Sequence, residues 1–199
     1  MARSLTAEEG LDLGRIYTAE EFAIVPDDGN RYELIEGKVV MAPQTGDEHG
    51  TIISELHFAL KAFLKQNKGL GKVWITTGFN IGKKPDGRDN IPGPDIGFIV
   101  ADRVPPTDEG YPPYPDLVVE VWSRKSDLSR PVNLIRARKK LHMFLEAGTC
   151  LAWGINPIDK TVEVYHRGQT KPTVLTVEDE LDGEDVIPGF KLKVNDLFT

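Results

Sequence analysis

Apolar and polar positions along this chain lay out its elements before any single residue's chemistry is considered. Thr18, with Glu21 completing a capping box, opens a short helix over residues 18–25 that Pro26 ends. Two alternating runs between Arg31 and Met41 meet at Glu36-Gly37 and predict a β-hairpin, in which the glycine supplies the positive φ of a tight turn and Glu33 shares a face with Ile35. A second capping box, Thr45 to Glu48, opens a helix whose apolar positions Ile52, Ile53, Leu56, Leu60 and Phe63 keep helical spacing down to Gly69, with His49 at the start of the stripe. Residues 73–81, 96–100 and 117–122 read as strands separated by Gly/Pro-rich turns. A helix follows over 131–147, with Pro131 in its first turn and Gly148 as its stop, and then strands over 150–155 and 161–166. The remaining C-terminal residues, with Pro172, Gly183 and Pro188-Gly189, read as an extended wrap around the body. This order predicts an α+β or mixed α/β fold, a mixed sheet flanked by helices with an N-terminal hairpin.

Composition narrows the class. A chain of 199 residues is expected to form one domain, 17–199, after an N-terminal extension, 1–16. Hydrophobic residues at 40% and charged residues at 28% are the proportions of a soluble globular protein, and no apolar run approaches the roughly 20 residues of a membrane span. The N-terminus carries no apolar segment ahead of Glu8 and Glu9, so no secretory signal and no membrane association are expected, and the cytoplasm is the expected compartment. Cys150 is the single cysteine, which removes intramolecular disulfides and Cys-rich zinc sites; it reads as a small core hydrophobe. A net charge of -7 argues against coating nucleic acid by bulk electrostatics but leaves room for a local basic groove.

The candidate chemistry begins with Glu120, an ionisable residue inside the run Leu117 to Trp122. A strand covered on both faces makes an unpaired charge costly, so Glu120 calls for a metal or a cation. Asp95 opens the upstream strand directly after Pro94, and two carboxylates on neighbouring buried strands form a candidate divalent-metal site. On the helix over 131–147, Leu134, Ala137, Leu141, Phe144 and Leu145 gather on one face; Lys140 and Arg136 lie on its flank, while Lys139 points away. Lys140 is therefore placed to reach a carboxylate and stabilise an anionic transition state, or simply to lay its stem along apolar surface. Asp95 has a plain alternative as a turn residue, Glu120 as half of a structural ion pair with Arg136 or Lys140, and His49 as a core histidine. Arg124, Lys125 and Arg136 belong to the densest positive run in the chain, either a solvated face or a set of phosphate contacts. The sequence holds no glycine-rich phosphate loop, dinucleotide fingerprint or Ser-His-Asp arrangement.

Thr18-Ala-Glu-Glu-Phe22, Asn30-Arg-Tyr-Glu-Leu-Ile-Glu-Gly-Lys-Val-Val40, Glu48-His-Gly50, Pro94-Asp-Ile96, Pro115-Asp-Leu-Val-Val-Glu-Val-Trp-Ser123, Glu146-Ala-Gly148 and Asn156-Pro157 together resemble the Uma2 family, over roughly residues 17 to 198. That family is widespread in cyanobacteria and other bacteria and belongs to the PD-(D/E)XK nuclease superfamily. The resemblance implies a restriction-endonuclease-like core in which Asp95 and Glu120 bind magnesium or manganese and a metal-activated water attacks a DNA phosphodiester in line. It also implies a homodimer. The superfamily's lysine normally stands two residues after the glutamate, where this chain has Trp122; by its spacing to Phe144 and Gly148, Lys140 matches a lysine moved onto the following helix. His49 and Glu33 match supporting positions. Trp122 in the lysine's place also leaves open a catalytically silent nuclease-fold protein that binds DNA or another protein.

Overall fold

The computed structural model describes residues 11–25, 28–42, 46–106, 110–122 and 131–199, with the side chains of 131–134, 136 and 137 outside that description. Helix α1 (Ala19–Ala23) begins at Thr18 with both halves of the capping box formed. Strands β1 (Tyr32–Ile35) and β2 (Lys38–Met41) make the hairpin, and both turn residues, Glu36 and Gly37, have positive φ, the signature of a type I′ turn. Leu34 exchanges two backbone hydrogen bonds with Ile91, which fastens the hairpin to the segment leading into β4 (Ile96–Val100). Tyr17, Phe22, Leu34, Val39 and Ile91 form a small core of their own beneath it.

Helix α2 (Asp47–Gln66) starts from Gly46, which makes no side-chain cap bond; Thr45, expected as the cap, lies outside the described residues. β3 (Gly71–Ile75), β4, β5 (Leu117–Val121), β6 (Leu151–Asn156), β7 (Thr161–His166) and β8 (Thr173–Leu175) follow one another across a six-stranded sheet. Every pairing is antiparallel except β5 with β6, whose crossover is helix α3 (Pro131–Ala147). The sheet is therefore mixed and flanked by helices, as the sequence predicts. β3 is shorter than the expected strand over 73–81. At Thr76 φ turns positive and its N–H goes to the Asp95 carbonyl, after which Phe79 folds back over Gly97, where a Cβ would meet its ring at 2.4 Å.

The two faces of the sheet carry separate cores. Ile96, Phe98, Leu117, Val119, Val121, Trp153 and Ile155 pack against Ile52, Leu56 and Leu60 of α2, and the C-terminal segment adds Leu181, Ile187, Phe190, Val194 and Leu197. That segment pairs β9 (Glu180–Asp182) with β10 (Lys191–Lys193) and closes in a 3-10 turn, so it completes the main core as well as wrapping it. On the opposite face Ile99, Val118, Ala152 and Tyr165 meet Leu141, Phe144 and Leu145 of α3. Cys150 is half-buried beside Gly148 and is not the core hydrophobe the sequence suggests.

Candidate active site

β5 lies between two strands, so alternate side chains enter two covered layers. Leu117, Val119 and Val121 take the α2 side, Val118 takes the α3 side, and Glu120 follows Val118. Asp95 stands one residue before the first β4–β5 pair, Ile96 with Val119, and this register sets it across from Glu120. Its Oδ2 accepts the Val121 N–H at 2.7 Å and faces His49 Nε2 at 3.2 Å, in the first turn of α2. The carboxylate pair is thus fixed by sheet register and locked by a backbone amide.

Three further groups converge on it. Lys140 Nζ donates to Glu33 Oε1 and to the Gly93 carbonyl, both at 2.8 Å, and stands 2.9 Å from Glu120 Oε1. The last contact is an ion pair out of line for a hydrogen bond, and Glu120 Oε1 accepts none although it is buried. Arg31 Nη2 donates to the same Gly93 carbonyl and lies 3.5 Å from the same Glu33 oxygen, while its Nη1 is 4.0 Å from Asp95 Oδ1. The Leu34–Ile91 bridge explains how Glu33 and Arg31 arrive: it holds the hairpin beside residues 91–93, and Glu33 leans inward next to the buried Leu34.

Burial pushes the Glu120 carboxyl up to about 8; Lys140 opposes this, and the charges of Asp95 and Glu33 add to it. Burial acts on Asp95 the same way, but the His49 hydrogen bond and charge, the Val121 amide and Lys140 outweigh it, leaving Asp95 below the usual carboxylate range. Burial would lower Lys140, yet Glu120 and Glu33 hold it above the ordinary lysine value. The site therefore pairs one firmly ionised carboxylate with one that burial holds against ionisation even beside the Lys140 ammonium.

Of the residues nominated from the sequence, Glu33, His49, Asp95, Glu120 and Lys140 come together. Arg124 and Lys125 lie outside the described residues, and Arg136 sits in α3 with its side chain outside the description. Lys83 and Arg88, in the loop before Asp95, are engaged locally, with Asp89 and Asp86. Two features were missed. Arg31 stands two residues before Glu33 on the same edge of the hairpin, a period-2 signal that would have flagged it. Glu163, buried on β7, takes a two-pronged hydrogen bond from Arg138 and another from the Tyr165 hydroxyl; the argument that singled out Glu120 applies to it equally.

Among the described residues no three His, Cys, Asp or Glu side chains are grouped as a metal cage. Magnesium does not require one, because it keeps several waters and commonly takes one or two carboxylates together with substrate phosphate. Asp95 and Glu120 fit such an ion: both present hard oxygen, and Glu120 Oε1 is a buried acceptor with no hydrogen bond.

The Uma2 family model, described as "Putative restriction endonuclease", matches residues 19–195. A solved structure from Anabaena variabilis, described as "a putative nuclease belonging to DUF820", shares 24% identity and superposes with a TM-score of 0.74 over 91% of this chain and 97% of its own. At that identity the likeness shows the fold alone. No curated protein matches the chain.

Proposed function

We propose, from the premise that the chain belongs to the Uma2 family, that it is a metal-dependent endonuclease hydrolysing DNA phosphodiester bonds. The observation that carries this reading is the convergence of Asp95 and Glu120, paired across β4 and β5, with Lys140 of α3. Asp95 and Glu120 would hold magnesium or manganese, which when bound supplies Lewis-acid charge to the phosphate and makes water a better nucleophile near neutral pH.

This chain's own groups do the rest. Asp95, kept ionised by His49 and the Val121 amide, offers a fixed anionic oxygen. Lys140 holds its proton because Glu120 and Glu33 favour the charged form, so it acts as a fixed positive charge and not as a base. Its place beside Glu120 supplies what Trp122 cannot: that indole lies over Gly154, where a Cβ would meet it at 2.6 Å. Water attacks phosphorus as the bond to the leaving sugar oxygen breaks, its proton passing to solvent and the sugar oxygen taking one up from there, while the ammonium offsets the charge that builds on the phosphoryl oxygens. A two-fold homodimer would present two such sites to the two strands, in the cytoplasm where DNA is accessible. Among the described residues no helix is long and apolar enough to cross a membrane.

The test is magnesium- and manganese-dependent cleavage of plasmid, linear and single-stranded DNA. Wild type should cut, with Glu120→Ala and Asp95→Ala losing at least about a hundredfold in rate, the scale of removing one electrostatic stabiliser; cleavage surviving in the double variant would sink the reading. Sedimentation should give a dimer. A catalytically silent DNA- or protein-binding role draws on one observation, that Asp95 Oδ2 is already engaged by His49 and Val121. Calorimetric magnesium binding that disappears in Glu120→Ala would remove it.

A further inference from the structure

Among the described residues, one lysine and one arginine, Lys140 and Arg31, reach the carboxylate cluster beside His49, and they differ in what they have left to give. An ammonium has three N–H donors. Lys140 spends two of them on Glu33 and Gly93, turns the third side to Glu120 at 2.9 Å, and its side chain is 21% exposed. A guanidinium has five donors in a planar fork. Arg31 commits Nη2 to the Gly93 carbonyl, stands too far from Glu33 and Asp95 for strong bonds, and is 33% exposed. Of the two, it has more donors to spare and the more open side.

Charge points the same way. Glu33, Asp95 and Glu120 against Arg31 and Lys140 leave one excess negative charge when all are ionised. A divalent cation turns it to one excess positive charge, matched to the single negative charge of the phosphate, and frees Asp95 from its distant pairing with Arg31.

We propose that Arg31 is a substrate contact of this site, its guanidinium binding the non-bridging oxygens of the phosphate presented at Asp95 and Glu120. The proposal rests on the endonuclease reading for its substrate. Gly93 and Glu33 anchor one side of the guanidinium through Nη2, and Nη1 is left to turn from Asp95 to the phosphate. A planar fork matches a phosphate in a way that a lysine at this position would not.

The experiment is duplex binding by the full chain, followed by fluorescence anisotropy with calcium in place of magnesium, over a salt series, for wild type, Arg31→Gln and Arg31→Lys. One lost phosphate contact lowers the slope of log K against log salt by about 0.9. Arg31→Gln should show that loss, and Arg31→Lys should recover the slope while cleaving more slowly than wild type in magnesium. A residue that only braces the hairpin would shift thermal unfolding and leave the slope alone. An unchanged slope in Arg31→Gln overturns the proposal while Glu120-dependent cleavage leaves the endonuclease standing. A reduced slope in a protein that binds but never cuts does the reverse. Failure of folded wild type to bind duplex overturns both.

Discussion

The two faces of the central sheet are built from the same strands and both carry an apolar core, but the α3 face mixes buried charges into it. Toward α2, the inward positions of β4, β5 and β6 are uniformly apolar, and Trp153 stacks on Phe190 from the C-terminal segment. Toward α3, the same strands present Glu120 and the glycines Gly97 and Gly154, β7 presents Glu163, and Asp95 stands at the mouth of β4. Glu120, Gly154 and Glu163 lie side by side across β5, β6 and β7. Trp122 fills the space above Gly154, with an ion pair on each flank, Glu120–Lys140 and Glu163–Arg138. One face supplies stability so that the other can hold charges that stability alone would reject. Because strand side chains alternate strictly, a one-residue slip of β5 would exchange the two sets.

This division can be broken from either side. The largest effect on folding should come from Trp153→Ala on the apolar face, about 5 kcal/mol by urea denaturation, since Trp153 is fully buried and its removal leaves a large cavity. On the charged face Lys140→Met should cost less, about 3 kcal/mol at pH 9, because Glu120 loses its cation while Glu33 keeps Arg31. Lowering the pH should shrink that cost, as Glu120 takes up a proton. A folded protein with no cleavage in Lys140→Met, set against parallel loss of fold and cleavage in Trp153→Ala, would confirm the division; equal unfolding by both would erase it.

The smallest effect has the opposite sign. A carboxyl whose folded value is raised lends stability below the usual carboxylate range and withdraws it as the pH climbs through about 8. Without divalent ions, wild type should therefore lose stability between pH 5 and 9 on account of Glu120. Glu120→Gln should lose less and melt a few degrees higher at the alkaline end, on the scale of about 2–4 °C per kcal/mol for a chain of this size. Melting curves of the two proteins that stay parallel across this range would show that Glu120 is no strained group.

How legible each region was in the sequence follows from the same contrast. The apolar runs of β4, β5 and β6 and the stripe of α2 announce themselves, because burial on both sides of a strand leaves few polar residues. Asp95, Glu120 and Lys140 could be picked out because a charge in or beside such a run is conspicuous. β3 was overextended because Phe79 and Ile81 alternate like strand residues; they cover the sheet without joining it, and burial without pairing leaves the same pattern. Arg31 escaped because an arginine near a hairpin looks like surface, and its part depends on Gly93, sixty-two positions away. Its period-2 spacing from Glu33 marks the shared edge, but the contact with Gly93 itself is not encoded locally. The buried Glu163 was readable by the logic applied to Glu120, and became visible only once Arg138 and Tyr165 were seen around it.

The hairpin's separate small core has a consequence in time. Glu120 and Lys140 belong to one strand–helix–strand unit, whereas Lys140 meets Glu33 across 107 positions and through a cluster that shares no buried residue with the main core. Closing the longer loop is the slower event. The amide of Trp122, bonded to Ile155, should gain protection before that of Gly37, bonded to Asp89, in a refolding experiment with pulsed hydrogen exchange; simultaneous protection would show a single step. In the expected order, each newly made molecule passes through an interval in which its sheet is complete and its site lacks both Glu33 and Arg31, so that it matures only when the hairpin docks.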